Sequence, residues 1–286
     1  VQKQKAWSFA FFVLIQMSRE EKLTEAEIRY KPLLEDFFIK TWGSVILYSH
    51  DINHHRRVWK YASELFLTTG PDDLPAEKLL IASYLHDIGM ATDRSERHGS
   101  VSKELCRSFI AVNNMDPDRY SDVLVAIESH DDKEYKNPVS DNTPLLKILS
   151  AADDLDAFGY TGVYRYLEIY LARGIDPEII GCEIIRNASG RFANFESGFG
   201  NYPYLVEKYK SRYLILNNIM ARHNRDTEIK NAQTGAGNYP QGIVKLVSDM
   251  IRYEIPPDKI ETLSFRYAGN KTVTDFVYGL TQELSG

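Results

Sequence analysis

The sequence predicts an all-α fold, and two observations support this. Apolar residues recur three and four positions apart from Pro32 to Leu171, which is the period of helices that bury one face. Glycine and proline interrupt the pattern at intervals that give helices of ordinary length. Because no internal repeat is present, we predict a helical bundle rather than a repeat architecture.

The N-terminal region, residues 1–40, is expected to form helices that pack on the core. The stretch AWSFAFFVLIQM from Ala6 to Met17 resembles the core of a signal peptide, but no small-residue cleavage pattern follows it. It is also too short to span a bilayer. Since a charged, helix-favouring sequence from Ser18 to Lys31 continues at once, we favour a buried N-terminal helix over a targeting segment.

The central region, residues 41–170, is expected to form the helical core. Glycine and proline predict where its helices begin and end. The predicted breaks are Gly70-Pro71, Pro75, Gly89, Pro117, Pro138, Pro144 and Gly174.

The C-terminal region, residues 171–286, is expected to be a mostly helical extension. Its pattern is less regular, and the segment RNASGRFANFESGFGNYPY from Arg186 to Tyr204 is predicted to interrupt it. Near the end, a short strand pair around Ala268-Gly269-Asn270 and a last helix from Thr272 to Leu284 are both compatible with the sequence.

Composition restricts the class of protein. The 286 residues suit one large domain or two small ones, and 43% hydrophobic content is enough for a substantial core. A net charge of −6 gives no sign of the basic surface that duplex nucleic acids require, so neither they nor a membrane are expected partners.

The two cysteines, Cys106 and Cys182, are too few for a disulfide framework, and we expect both to pack as small apolar residues in a cytoplasmic protein. The sequence leaves open whether the protein forms a homodimer.

Four of the seven histidines lie at the ends of predicted helices and face the core. His54 and His98 each begin an apolar stripe with steps of three or four residues, which keeps them on the buried face. His86 and His130 each close such a stripe. The remaining three histidines are predicted on the surface. They are His50, His55 and His223. On the helix that it shares with His54, the His55 side chain points about 100° away from the His54 side chain.

Two aspartates accompany the inward histidines: Asp87 follows His86, and Asp153 lies on the apolar helix PLLKILSAADDLDAF. A buried carboxylate is costly without a partner, and a divalent cation is the strongest partner available. A single inward histidine is more often a hydrogen-bonded core residue, but this many buried polar groups would need many specific partners. We therefore predict a site for one or two divalent ions, Fe, Mn, Zn, Ni or Co, with Mg also possible. The predicted ligands are His54, His86, Asp87, His98, His130 and Asp153.

Several of these residues occur in ordered motifs. The motifs are His54-x-x-Arg57-Val58, LHDIG from Leu85 to Gly89, His98-Gly99, His130, and LSAADDLDA from Leu149 to Ala157. In this order, from about Ser49 to Phe158, they resemble the HD-domain superfamily. The resemblance implies a helical, metal-dependent phosphohydrolase. It also implies a dinuclear phosphodiesterase ligand set, in which His54, His86, Asp87 and Asp153 are the defining ligands, His98 and His130 are the additional pair, and Asp87 bridges two metals.

The sequence departs from two branches of that superfamily. The GYP signature of cyclic-dinucleotide phosphodiesterases is absent between Asp87 and Asp153, and the longer ppGpp-hydrolase pattern is not matched. We therefore expect a phosphomonoester or phosphodiester substrate, a small phosphorylated molecule such as a nucleotide, without naming it. The chain beyond Tyr160 lies outside the motifs.

The hypothesis for catalysis is that two ions roughly 3.5–4 Å apart lower the pKa of a water, and that the resulting hydroxide attacks phosphorus. Arg57, Arg94 and Arg97 are candidates to neutralise the phosphoryl oxygens, and solvated surface arginines are an equal alternative. Asp156 is a candidate general acid or water-orienting group, or a structural partner of a ligand.

Three further alternatives concern function. Arg186 and Arg191 are compatible with a lid over the site, although ordinary helix packing is favoured. Some HD-fold proteins resemble mixed-valence di-iron oxygenases, which use the same kinds of ligand. A non-catalytic nucleotide-binding sensor is the last alternative, and the intact ligand set argues against it.

Overall fold

The computed structural model describes residues 17–95, 97–131, 143–234, 240–267 and 269–285. These residues form α-helices, short 3₁₀ turns and loops, without a strand, so the predicted all-α fold is confirmed. The helices are α1 (Arg19–Trp42), α2 (Ile52–Thr69), α3 (Ala76–Leu85), α4 (His98–Val112), α5 (Ser121–Ser129), α6 (Pro144–Asp156), α7 (Gly159–Ala172), α8 (Ile180–Phe199), α9 (Pro203–Thr234), α10 (Gly242–Arg252), α11 (Glu261–Ser264) and α12 (Lys271–Ser285).

Helix α1 begins with a capping box. The Ser18 hydroxyl accepts from the Glu21 backbone N–H, and the Glu21 carboxylate accepts from the Ser18 N–H, which satisfies two free donors of the first turn. The charged segment from Ser18 to Lys31 is therefore helical, as predicted. The predicted buried helix from Ala6 to Met17 lies outside the described residues except for Met17.

Helix α3 is buried on all sides because α1, α2, α5 and α6 pack around it. Its consecutive residues Leu79 to Leu85 lie without exposed surface, in the manner of a central helix rather than an amphipathic one. The C-terminal end of α3 therefore lies in the middle of the bundle, and this is where the His86-Asp87 pair follows.

Helix α8 runs without a break from Ile180 to Phe199, so the predicted interruption between Arg186 and Tyr204 is wrong over most of its length. Its aromatic residues share one face and pack on α9, where Phe192 stacks on Tyr213 with ring centroids 4.5 Å apart. This burial outweighs the helix propensity lost at each glycine, about 1 kcal/mol.

The last part of the chain adopts the helical alternative. Helix α12 covers Lys271–Ser285 and buries Val273, Phe276 and Leu280 against α7 and α10. Among the described residues no strand pair forms here, and Ala268 lies outside them.

Three predictions about single residues are wrong. Cys182 is exposed, whereas Cys106 is buried as expected. His55 and His223 are buried rather than on the surface. For His55 the reason is that α1, α3 and α6 enclose α2, so that a face 100° from His54 is also covered, and the His55 ring packs edge-on against Phe38.

None of the helices that the structure describes combines the length and the apolar character that crossing a bilayer requires.

The burial of His223 on α9 leads to a prediction about stability and pH. Burial lowers the pKa of its imidazole from 6.5 to about 4, although Asp226 opposes the shift. Between pH 4 and pH 6.5 the unfolded chain therefore binds more protons than the folded chain. The stability that neutral His223 contributes above pH 6.5 is lost as the pH falls through this range. We expect urea denaturation to show that the wild type loses about 2 kcal/mol more than His223→Asn between pH 7 and pH 5. Equal losses would contradict the burial of a neutral ring.

Candidate metal centre

The structure brings together the six side chains that the sequence analysis selected. His54 lies in the first turn of α2, where the Asp51 carboxylate accepts from the backbone N–H of Asn53 and of His54. The others lie at helix ends or in a last turn. His86 and Asp87 follow α3, His98 opens α4, His130 follows α5, and Asp153 lies near the end of α6. All six are buried.

Four of these side chains form the first half of the centre. His54, His86, Asp87 and Asp153 place one donor atom each within 4.8 Å of all the others. The His86 Nε2 atom is 3.4 Å from Asp87 Oδ2 and 3.8 Å from Asp153 Oδ1. The His54 Nε2 atom is 3.5 Å and 3.9 Å from the same two oxygens. This group could hold one ion.

The second half shares Asp87 with the first. The other oxygen of that carboxylate, Oδ1, is 3.0 Å from His130 Nε2 and 3.2 Å from His98 Nε2. The same three residues satisfy the distance requirement for a second ion site. Asp87 therefore lies between two groups of donors, with one carboxylate oxygen facing each.

The opposite nitrogen of each imidazole has a fixed partner. Nδ1 of His86, His98 and His130 donates to the backbone carbonyl three residues earlier, at 3.0, 2.7 and 2.6 Å respectively. Nδ1 of His54 lies 2.8 Å from Asp156 Oδ2. Since a carbonyl can only accept, Nδ1 carries the proton of the neutral ring and Nε2 keeps a lone pair that faces the cluster.

The electrostatics of the cluster favour a cation. Burial lowers the pKa of His86, but the Asp87 and Asp153 carboxylates outweigh it and raise that pKa to about 10. Burial also lowers the pKa of His98, but Asp87 outweighs it and raises that pKa to about 9. Burial raises the pKa of Asp87, but His86 and His130 hold it well below its ordinary value. A divalent ion offers these carboxylates more positive charge than a proton, so the donor set fits a metal.

Comparison with known proteins agrees with this geometry. The sequence profile of the HD domain matches residues 51–157. Residues 51–157 are therefore an HD domain. The superfamily resemblance of the motifs is confirmed, and His86-Asp87 is the pair that gives the domain its name. No curated protein and no solved structure shows a significant match to the chain.

His50 lies at the edge of the HD domain's cluster and is buried, so its predicted surface position is wrong. Its Nε2 atom is 3.5 Å from Asp87 Oδ2, and its Nδ1 atom is 2.8 Å from the Ser49 hydroxyl. Burial and the adjacent Arg165 guanidinium hold the pKa of His50 well below its ordinary value. The spacing of four residues between His50 and His54 was the sequence signal for a shared site.

The 3₁₀ turn Tyr48–His50 is held from α7, outside the HD-domain match. The buried Glu168 carboxylate accepts from the backbone N–H of Tyr48 at 3.3 Å and of Ser49 at 2.5 Å. Arg165 Nε donates to the Ser49 carbonyl at 3.0 Å. The side chains one turn apart on α7 thus fix the peptide that directs His50 into the cluster.

The three arginines selected from the sequence do not reach the cluster. Arg57 is paired with Asp156 behind His54, with Nε 2.6 Å from Oδ1. Arg94 extends toward the Ile46 carbonyl, and Arg97 is 83% exposed beside Asp93. The loop that carries Arg94 and Arg97 turns their side chains outward, and the Arg57 guanidinium is held by a carboxylate, so in this structure none of the three lines the cavity.

Two other arginines lie beside the cluster. Arg165 on α7 places Nη2 3.3 Å from Asp153 Oδ1 and 3.5 Å from His54 Nε2. Arg191 on α8 places Nη1 3.2 Å from Asp153 Oδ2 and 2.6 Å from Asp154 Oδ1. Sequence reasoning considered Arg191 only as part of a lid, but it belongs to a continuous helix. Arg186 is 78% exposed and pairs with Glu183.

Asp156 supports His54 and does not line the cavity. Its side chain is fully buried and contacts His54, Arg57 and Arg165. Burial raises the pKa of Asp156, but the two arginines hold it well below its ordinary value. Among the roles proposed from sequence, these contacts fit a structural partner of a ligand.

A cavity of about 540 Å³ opens onto the cluster. Its lining includes Asp87, His98, His130 and Asp153 of the cluster. The rest of the lining comes largely from α7, from the residue that follows it and from α8, and we call this part the α7–α8 wall. The wall includes Arg165, Tyr166, Tyr170, Arg173, Asn187 and Arg191. The C-terminal region therefore contributes to the cavity of the HD domain.

We predict that Asp156→Asn weakens metal binding about 10–100-fold, because the neutral amide orients His54 Nδ1 less strongly than a carboxylate. Competition with a fluorescent chelator measures the affinity. Asp122→Asn is the matched control, since Asp122 pairs with Lys78 on the surface. An affinity for Asp156→Asn equal to that of the control would contradict this role.

A second prediction concerns Glu168. In Glu168→Ala two buried backbone N–H groups lose their acceptor, and we expect the unfolding free energy to fall by about 3 kcal/mol. Tyr164→Phe removes only the hydroxyl that donates to Glu168 and should cost about 1 kcal/mol. Urea denaturation of both variants measures the difference. Equal losses in the two variants would show that Glu168 does not hold the turn.

Proposed function

We propose that this protein is a metal-dependent phosphohydrolase that cleaves a phosphomonoester or phosphodiester of a small molecule. The observation that carries the proposal is Asp87, whose two carboxylate oxygens face two separate groups of imidazole donors. A shared carboxylate between two ion sites suits the in-line displacement at phosphorus that paired ions assist.

The donor set also bears on the ion. Four imidazoles and two carboxylates favour Fe, Mn, Zn, Ni or Co, whereas Mg prefers oxygen ligands and retains its waters. His54, His86, Asp87 and Asp153 would hold one ion, and Asp87 would hold a second together with His98 and His130. When bound, such ions lower the pKa of water toward neutrality and polarise phosphoryl oxygens.

The chain itself supplies orientation and positive charge. The Nδ1 partners fix each ring with Nε2 toward the centre, so little reorganisation is needed when the substrate binds. Arg165 and Arg191 lie on the cavity wall beside Asp153, where planar guanidinium groups suit the oxygens of a phosphoryl group. We assign to these two arginines the role that the sequence had suggested for Arg57, Arg94 and Arg97.

The size of the cavity supports a small substrate. A volume of about 540 Å³ lies in the range of small-molecule sites and suits a single nucleotide. The net charge of −6 does not favour a nucleic-acid duplex. We therefore propose a nucleotide or another small phosphate ester as the substrate class.

We predict that the protein loses phosphate-ester cleavage on treatment with a chelator and regains it with a transition-metal ion. The assay follows nucleoside mono-, di- and triphosphates and cyclic nucleotides by ³¹P NMR. Asp87→Ala removes the donor shared by both halves and should lower kcat/KM at least roughly a thousandfold. Asp122→Asn serves as the surface control.

Two outcomes would contradict the proposed hydrolase. Oxygen consumption coupled to product formation by the iron-loaded protein, without ester cleavage, would indicate the oxygenase alternative. Tight nucleotide binding by metal-loaded protein without product over hours would indicate a sensor.

A further inference from the structure

We propose that Asn187 and Arg173 form a recognition site for the part of the substrate that does not react. We further propose that this part carries a planar ring and a second anionic group. The inference rests on the proposed function, because it assumes that a phosphoryl group lies at the Asp87 end of the cavity. Asn187 on α8 and Arg173, which directly follows α7, both line the cavity.

The orientation of the Asn187 amide is determined by its neighbours. Its Oδ1 atom accepts from Arg191 Nε at 3.0 Å and from the Tyr166 hydroxyl at 2.7 Å. Because a guanidinium can only donate, the oxygen must face Arg191, and the Nδ2 donors are left for other groups. Within the described part of the chain no acceptor binds Nδ2. A ligand in the cavity can therefore satisfy Nδ2 with an acceptor atom.

Arg173 differs from the other two arginines of the wall in its charge balance. Arg165 lies beside two aspartates and Arg191 beside three. Arg173 donates from Nε and Nη2 to the neutral Arg94 carbonyl, at 3.3 and 3.1 Å, and pairs with no carboxylate of the described residues. Its charge is therefore available to an anionic group of the ligand.

Two further carboxylates line the cavity near His98 and His130, and both have partners. Glu128 pairs with Lys103 at 2.7 Å, and Asp131 lies 3.8 Å from His98 Nε2 and 3.9 Å from Arg191 Nη2. Arg173 is therefore the arginine of the cavity lining whose charge is not offset by a carboxylate of the described residues. A ligand with two anionic groups would therefore place the reacting one at the metal centre and direct the other toward Arg173.

Along the chain, two tyrosines lie between Arg165, which is next to the donor cluster, and Arg173. Tyr166 and Tyr170 pack edge to face with centroids 5.6 Å apart, and both line the cavity. The Tyr166 ring is also held by Arg191, whose guanidinium carbon lies 5.9 Å from the ring centroid. Rigid aromatic surface of this kind favours a planar ring such as a nucleobase.

Three esters of increasing size test the inference on the manganese-loaded full chain. They are p-nitrophenyl phosphate, adenosine 5′-monophosphate and adenosine 3′,5′-bisphosphate. Because the leaving groups of these esters differ in intrinsic reactivity, the quantity compared between each variant and the wild type is the ratio of the kcat/KM values of two esters. Arg173→Gln should reduce the preference for the bisphosphate over the monophosphate about tenfold, since it removes one charge-assisted contact.

Asn187→Asp gives the sharper comparison. The aspartate keeps an acceptor for Tyr166 and Arg191 at nearly the same volume, and it replaces the cavity donor by a second acceptor. We expect the preference for either nucleotide over p-nitrophenyl phosphate to fall about tenfold or more. Arg186→Gln is the control, because Arg186 lies on the same helix and is exposed outside the cavity. Its preferences should equal those of the wild type.

Calorimetric titration of the manganese-loaded protein with the bisphosphate separates this inference from the proposed function. If no ester is cleaved but the wild type binds the bisphosphate about tenfold more tightly than Arg173→Gln, the hydrolase proposal fails and the recognition site stands. If all three esters are cleaved, and if each variant changes kcat/KM by the same factor for every ester, the recognition site is wrong and the hydrolase stands. Absence of both binding and cleavage of the bisphosphate at millimolar concentration overturns the inference.

Discussion

The Asp87 carboxylate is buried between two groups of imidazoles, and the arrangement of the surrounding helices depends on satisfying its charge. Its two oxygens face His86 and His54 on one side and His98 and His130 on the other. A charge so far from water requires cationic partners on both sides. The ends of α3, α4 and α5 and the start of α2 therefore have to meet at one point, and α3 can only provide Asp87 there because it is buried on all sides.

The orientation of the donors is a local property of helix ends. Three of the four ligand imidazoles donate from Nδ1 to the carbonyl three residues earlier, where a turn or the last turn of a helix leaves a carbonyl free. His54 differs, since it lies at the start of a helix and needs a distant partner. Asp156 provides this partner, and its own charge is balanced by Arg57 and Arg165.

The HD domain is complemented by helices beyond its own sequence match. From α7, Arg165 and Glu168 hold the turn that carries His50, and from α8, Arg191 reaches Asp153 and Asp154. The same two helices form the polar and aromatic wall of the cavity. The candidate metal centre is thus built by the domain, while much of the remaining cavity lining comes from α7 and α8.

The sequence by itself determined the all-α class and the six inward donors, because a helical period reports burial of one face and the HD-domain motifs follow one another in a fixed order. It could not place His50, whose turn is held by Glu168 119 positions away, nor Arg191, which meets Asp153 across 38 positions. It also misplaced His55 and Arg57, since periodicity cannot tell how many helices enclose α2 or which carboxylate binds a guanidinium. Such contacts exist only once the helices have packed, so only the tertiary structure decided them.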